Sequence, residues 1–269
     1  LRRGEDSANA KSVVAIMGTR PEIIKMAPVV LALREQGIPT HVLHTGQHEE
    51  MAWPLYEFFG IKPEEVIRLK REVPTLPALA SELMSAIGTQ LSRLQPAAAL
   101  VHGDTSSAAM GALAASFLQI PVGHVEAGLR SGRIDEPFPE EINRSLIGRV
   151  SQWHFAPTTQ AESNLRRENV PGNISVVGNT VVDAVQYAAH FVRQQRQQGT
   201  PIANPDYQWF AESGCSKLIL VTAHRRENWG EPLLNIAHAV QQLLTESPDA
   251  AVIWPVHLNP LVQDAVRKV

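Results

Sequence analysis

Four groups of polar residues, each set just behind a short apolar run, carry the chemistry legible in this chain. Val13–Met17 leads into Gly18-Thr19-Arg20-Pro21-Glu22, and Ala97–Val101 into His102-Gly103-Asp104-Thr105. Val122–Val125 leads into Glu126-Ala127-Gly128-Leu129-Arg130, and Leu218–Thr222 into a segment containing His224-Arg225-Arg226-Glu227-Asn228. Such a run reads as a parallel strand, and the polar residues then mark its carboxyl end, the edge at which open α/β sheets bind ligands. Carboxylates, arginines and a histidine gathered there suit an anionic substrate: cations and free helix amides hold negative charge, while carboxyl groups move protons.

Each group also has a plainer reading. Pro21 and Glu22 fit a well-formed helix start, because proline lacks an N–H that the first turn cannot use and an acid complements the helix dipole. Arg20 fits it badly, being a cation at the positive end of that dipole; a bound anion would resolve the conflict. Lys25 reads equally as a solvated helix face. Asp104, followed by Thr105 and Ser106, could be part of a helix cap. A carboxylate ending a buried strand is costly without a partner, so Glu126 needs one, and Arg130 is a candidate. Glu140 and Glu141 follow Pro139 and read as first-turn helix acids. His224-Arg225-Arg226 offers donors to a diphosphate, against the alternative of a surface basic cluster.

The elements that must position these residues alternate along the chain, as in a doubly wound parallel sheet. Helices are expected over Ile23–Gln36, Met51–Phe59, Leu76–Leu94, Ser106–Phe117, Glu140–Val150, Thr159–Glu168 and Val181–Gln198. Strands are expected at Val13–Met17, Thr40–His44, Ala97–Val101, Val122–Val125, His154–Ala156 and Ile174–Val177. Gly199–Pro205 carries boundary residues, which divides the chain into a first Rossmann-like domain over 12–198 and a second over 199–269. In the second, strand Leu218–Thr222, helix Leu233–Glu246, strand Ala251–Trp254 and helix Pro260–Lys268 follow in turn. Two strands make no covered open sheet, so this domain reads as cut short.

Composition narrows the function classes. The 269 residues, 44% hydrophobic, suffice for one large core or two modest ones. A net charge of -3, from 24 basic and 27 acidic residues, has no basic stripe for nucleic acid, and no apolar run is long enough for a membrane span. The single cysteine, Cys215, excludes an intrachain disulfide framework and fits a cytoplasmic protein. It sits in a loop-like Ser-Gly-Cys-Ser stretch that argues against catalysis. No His-Glu-x-x-His, no Gly-x-x-x-x-Gly-Lys and no Gly-x-Gly-x-x-Gly after the first strand occurs, so no metal and no cofactor is expected.

At these junctions the chain resembles the non-hydrolysing UDP-N-acetylglucosamine 2-epimerases. The matching stretches are Gly18–Glu22 with Lys25-Met26-Ala27-Pro28, Gly46-Gln47-His48, Val101–Thr105, Gly123–Arg130 and Pro139–Arg144. Gly178–Asp183, His224–Asn228 and Pro255–Pro260 complete the set, in family order over nearly all of 13–260. The resemblance implies two Rossmann-like domains of the glycosyltransferase-B kind and reversible exchange of UDP-GlcNAc and UDP-ManNAc through 2-acetamidoglucal. It points to Asp104, Glu126, Glu140 and His224 as catalytic, with Glu141 the runner-up to Glu140. It also assigns Arg20, Lys25, Asp104, Glu126, His224 and Arg225 to the nucleotide sugar. Gln47, His48 and His257 match segments bordering an activating UDP-GlcNAc site, although some members carry Gln where Glu50 stands. A cytoplasmic homodimer supplying cell-surface polysaccharide synthesis is the implied setting. A hydrolysing 2-epimerase, a glycosyltransferase of the same fold and an incomplete nucleotide-sugar-binding fragment are the alternatives.

Overall fold

The computed structural model describes residues 12–47, 52–199, 205–223, 230–256 and 260–267. The chain divides into two compact units, Leu1–Ala189 and His190–Val269.

The first unit is built on seven parallel strands: β1 (Val13–Met17), β2 (Thr40–His44), β3 (Glu65–Val66), β4 (Ala98–His102), β5 (Val122–Val125), β6 (Trp153–Ala156) and β7 (Asn173–Val176). Their order is β3-β2-β1-β4-β5-β6-β7. The chain lays strands outward from β1 on one side, then returns to place β4 on the other, so the direction reverses between β1 and β4. Ala15 pairs with Val42 on one side and Leu100 on the other.

Side chains alternate across the sheet and so divide the core in two. Val14 and Ile16 pack with Leu83, Ile87 and Leu91 of α3 (Leu76–Leu94), Ala108, Ala109, Ala112 and Ala115 of α4 (Ser106–Phe117) and Ile147 of α5 (Glu140–Val150). Ala15 and Met17 pack on the opposite face with Ile23, Met26 and Val30 of α1 (Arg20–Glu35), Tyr56 of α2 (Trp53–Phe58) and Ala184 of α7 (Val181–Gln197). Helix α6 (Thr159–Arg167) covers the far end with Ala161 and Leu165. The run of alanines in α4 brings its backbone close to the sheet. A Cβ at Gly111 would lie 3.1 Å from Ile16.

The second unit comprises α8 (Pro205–Glu212), β8 (Lys217–Leu220), α9 (Glu231–Glu246), β9 (Ala250–Ile253) and α10 (Pro260–Arg267). Its strands pair in parallel, Leu218 opposite Ala251, and Ala223, Leu233 and Val262 form its core. The α/β alternation expected from sequence is thus present. Two elements escaped that reading: β3, a two-residue edge strand, and α8, which follows directly on the boundary segment. Helix α1 begins at Arg20, three residues before the apolar periodicity does, so Pro21 lies in its first turn.

Candidate functional site

The ends of β1, β4 and β5 place the first three polar groups together. Behind β1, the Glu22 carboxylate is completely buried. It accepts the N–H groups of Gly18 at 2.9 Å and Thr19 at 2.7 Å, and the Thr105 hydroxyl at 2.5 Å. One residue therefore clasps the β1–α1 and β4–α4 connections across the reversal point. Burial pushes its pKa up, against the pull of those hydrogen bonds.

Behind β4 the chain turns sharply at Gly103, whose φ of 66° is a backbone state that glycine adopts freely. Its N–H donates to the Val125 carbonyl at 2.9 Å, and its own carbonyl accepts from His124 Nε2 at 2.7 Å. These bonds set the position of Asp104. Arg144 of α5 donates to Asp104 Oδ2 at 2.5 Å, and Asn143 Nδ2 donates to the Asp104 carbonyl at 2.8 Å. Burial raises the Asp104 pKa; Arg144 opposes this, while Glu140 and Glu126 reinforce it.

Glu126, immediately behind β5, sits at φ 63°. Holding a non-glycine residue there costs on the order of 1–3 kcal/mol, which the surrounding contacts must offset. Lys25 Nζ of α1 donates to both carboxylate oxygens, at 2.8 Å to Oε1 and 2.6 Å to Oε2, and Asn179 Nδ2 donates to Oε2 at 2.7 Å. His102 Nε2 lies 3.7 Å from Oε1. Burial works to raise the Glu126 pKa, but attraction to His102 in its protonated form, together with the Lys25 and Asn179 hydrogen bonds, outweighs it and leaves the carboxyl below its usual value. Burial also pulls His102 down to a pKa of about 4. At neutral pH that ring is uncharged, and Lys25 with Asn179 keeps Glu126 ionised.

Glu22, Lys25, His102, Asp104, Glu126 and Glu140 all line one cavity of about 480 Å³, with Gln47, Leu76 and Asn143 in its wall. That volume suits a small-molecule ligand. Glu140 Oε2 is buried without a hydrogen-bond partner among the described residues. Glu141, by contrast, accepts from Arg144 at 2.8 Å and from the Ser131 N–H at 3.2 Å, outside the cavity lining. A larger groove of about 770 Å³ runs along residues 70–86, but it gathers no comparable set of carboxyl groups. Among the described residues, no cluster of His, Cys, Asp or Glu could hold a metal ion, and no helix is long and apolar enough to cross a membrane.

The expected site residues are thus partly assembled. Asp104, Glu126, Glu140 and Lys25 converge. Arg20 is exposed at the first residue of α1, next to the lining residues Thr19 and Pro21. Gln47 Oε1 accepts the Ser107 N–H at 3.1 Å and its hydroxyl at 2.6 Å, capping the start of α4. His48, His224, Arg225 and His257 lie outside the described residues. One expectation is corrected: Arg130 does not partner Glu126. Its guanidinium pairs with Glu168 at 2.6 Å and 2.7 Å, and Lys25 takes the role instead. Sequence reasoning also passed over Asn143, Arg144 and Asn179. Asn143 and Arg144 stand three and four residues after Glu140, a spacing that shares one helix face and could have revealed them.

Comparison with known proteins follows the same line. The family profile described as UDP-N-acetylglucosamine 2-epimerase matches residues 31–269. The UDP-N-acetylglucosamine 2-epimerase of Bacillus subtilis strain 168 is 42% identical over 258 residues, covering 95% of this chain and 65% of that protein. The chain therefore spans about two thirds of that relative's length. The crystal structure of UDP-GlcNAc 2-epimerase from Neisseria meningitidis, bound to UDP-GlcNAc, matches with a TM-score of 0.78 at 38% identity, over 96% of this chain and 69% of that one. That of Methanocaldococcus jannaschii UDP-GlcNAc 2-epimerase, in complex with UDP-GlcNAc and UDP, matches with a TM-score of 0.72 at 34% identity, over 96% and 68% of the two chains. Matched along nearly its whole length by these proteins, the chain belongs to the UDP-N-acetylglucosamine 2-epimerase family.

Proposed function

We propose that the protein interconverts UDP-GlcNAc and UDP-ManNAc by inverting C2 and keeps the nucleotide sugar intact, without hydrolysis. The observation that carries this reading is the convergence of Asp104, Glu126 and Glu140 on one cavity at the sheet's reversal point. The relatives solved with UDP-GlcNAc support the substrate class.

The C2 proton of an N-acetylhexosamine is not adjacent to a carbonyl, so simple deprotonation is unfavourable. Elimination avoids the difficulty. A carboxylate takes the C2 proton while the C1–O bond breaks, its electron pair leaving with UDP and a C1–C2 double bond forming in 2-acetamidoglucal. UDP oxygen then re-adds at C1 as a carboxylic acid returns a proton to the opposite face of C2. This cycle requires an ionised and a protonated carboxyl group in the same site. Glu126, drawn below its usual pKa, suits the base, and Asp104, pushed above its own, suits the acid in the UDP-GlcNAc to UDP-ManNAc direction. Charge developing on the departing diphosphate needs fixed cations and hydrogen-bond donors, roles we assign to Arg20, Lys25, His224 and Arg225. Homodimerisation, and activation by UDP-GlcNAc through Gln47, His48 and His257, belong to the same proposal.

Product analysis of the full-length protein tests it. Incubation with UDP-GlcNAc alone should yield UDP-ManNAc, with the sugar C1 still joined to the UDP oxygen at the end of the reaction. Accumulation of free ManNAc with stoichiometric UDP would overturn the non-hydrolysing reading.

A further inference from the structure

The contacts around Glu126 are unequal, and the inequality has a source. Among the described residues, Oε2 accepts two close donors, Lys25 Nζ at 2.6 Å and Asn179 Nδ2 at 2.7 Å, whereas Oε1 accepts Lys25 alone at 2.8 Å. Oε1 is also the oxygen nearest Gly103, since a Cβ built on that residue would lie 3.8 Å from it. Asn179 cannot turn its amide round. Its Oδ1 accepts the Val181 N–H at 3.0 Å in the turn that starts α7. A flipped amide would set oxygen against carboxylate and NH2 against N–H, two repulsive contacts in place of two hydrogen bonds.

We infer that Asn179 is a positioning residue for Glu126: its amide occupies Oε2 and so leaves Oε1 as the oxygen that exchanges the substrate proton. The inference rests on the reading of Glu126 as a proton-transfer group. Asn179 stands far from Glu126 in sequence, at the head of the helix that contains the boundary between the two units. It has no charge to be noticed, and its hydrogen bond with Oδ1 alone would pass for an ordinary helix start. Its donation to Glu126 is a second contact that a capping role does not need. Among the described residues, the other charged or titratable groups around the cavity that Glu126 lines are Glu22 and Lys25 from α1, His102 from β4, Asp104 directly behind β4, and Glu140 at the start of α5.

Asn179→Asp separates positioning from capping. Aspartate keeps an oxygen for the Val181 N–H but turns a second carboxylate toward Oε2, and two adjacent carboxyl groups resist sharing ionisation. In the full-length protein, kcat/KM for UDP-GlcNAc at neutral pH should fall about 10-fold or more. The acid limb of its pH profile should move up by about one unit or more, with activity recovering at higher pH. An unmoved limb in N179D, alongside lost activity in N179A, would leave only the capping role and overturn the inference. Should N179D fail to fold, Asn179→Ser supplies the reading. Its hydroxyl still supports the turn while the donation to Oε2 is lost, so its limb should move up by less, and an unmoved limb again refutes the inference. Glu126→Gln, run in parallel, isolates the underlying reading: normal turnover there would sink the role of Glu126 itself, whatever Asn179 does.

Discussion

At the scale of single residues, Glu126 is where strain, charge and chemistry meet. Its backbone sits in the left-handed region, and its carboxylate is held by an ammonium and an amide. Asp104 faces the opposite balance, with burial pushing its carboxyl toward the protonated form although Arg144 is in contact. Replacing either by its amide keeps the shape and removes the proton exchange. Asp104→Asn and Glu126→Gln should each lower turnover more than roughly 100-fold, within the usual range for general acid–base groups. Steady-state rates with UDP-GlcNAc check this, and a variant within a few-fold of the wild type would remove that residue from the mechanism. Arg144→Met in such a series would speak to the environment of Asp104, not to proton transfer itself.

At the scale of elements, most of the sheet was legible because its central strands are short, mainly apolar runs and most helices between them are periodic. Val13–Met17, Thr40–His44 and Val122–Val125 have the same bounds in sequence and structure. Two-residue β3 was not legible: Glu65-Val66 carries no pattern, and its pairing with Leu43 and His44 is supplied by the neighbouring strand. The start of α1 was legible in Pro21 and Glu22, but what closes it was not. The turn is closed by the Glu22 carboxylate, which also reaches Thr105 on a distant loop. The site divides in the same way. Carboxylates behind strands announced themselves, but their partners did not, since Lys25 reaches Glu126 from α1, far away in sequence. Arg130, only four residues from Glu126, turns away to Glu168.

At the scale of the whole molecule, three buried histidines on neighbouring strands tie stability to pH. Burial pulls His124 down to about 3 and His102 to about 4, and it lowers His154 as well. Unfolded histidine binds a proton near pH 6.5, so below that value the unfolded chain holds more protons than the native one. Stability is therefore present above about pH 6.5 and is lost as pH falls toward 4, at up to about 1.4 kcal/mol per pH unit for each such group. Glu22 and Asp104, raised in the native state, act in the opposite sense and soften the slope. Urea midpoints between pH 7 and pH 5 should fall, and the fall should be shallower in His124→Gln; equal slopes would contradict this. Exchange of the C2 proton by carboxyl groups in one cavity during epimerisation can be observed directly. UDP-GlcNAc is turned over by the full-length protein in deuterated water, and the products are read by NMR. UDP-ManNAc should carry deuterium at C2 from the first turnovers. UDP-ManNAc that forms with its original C2 hydrogen retained would contradict it.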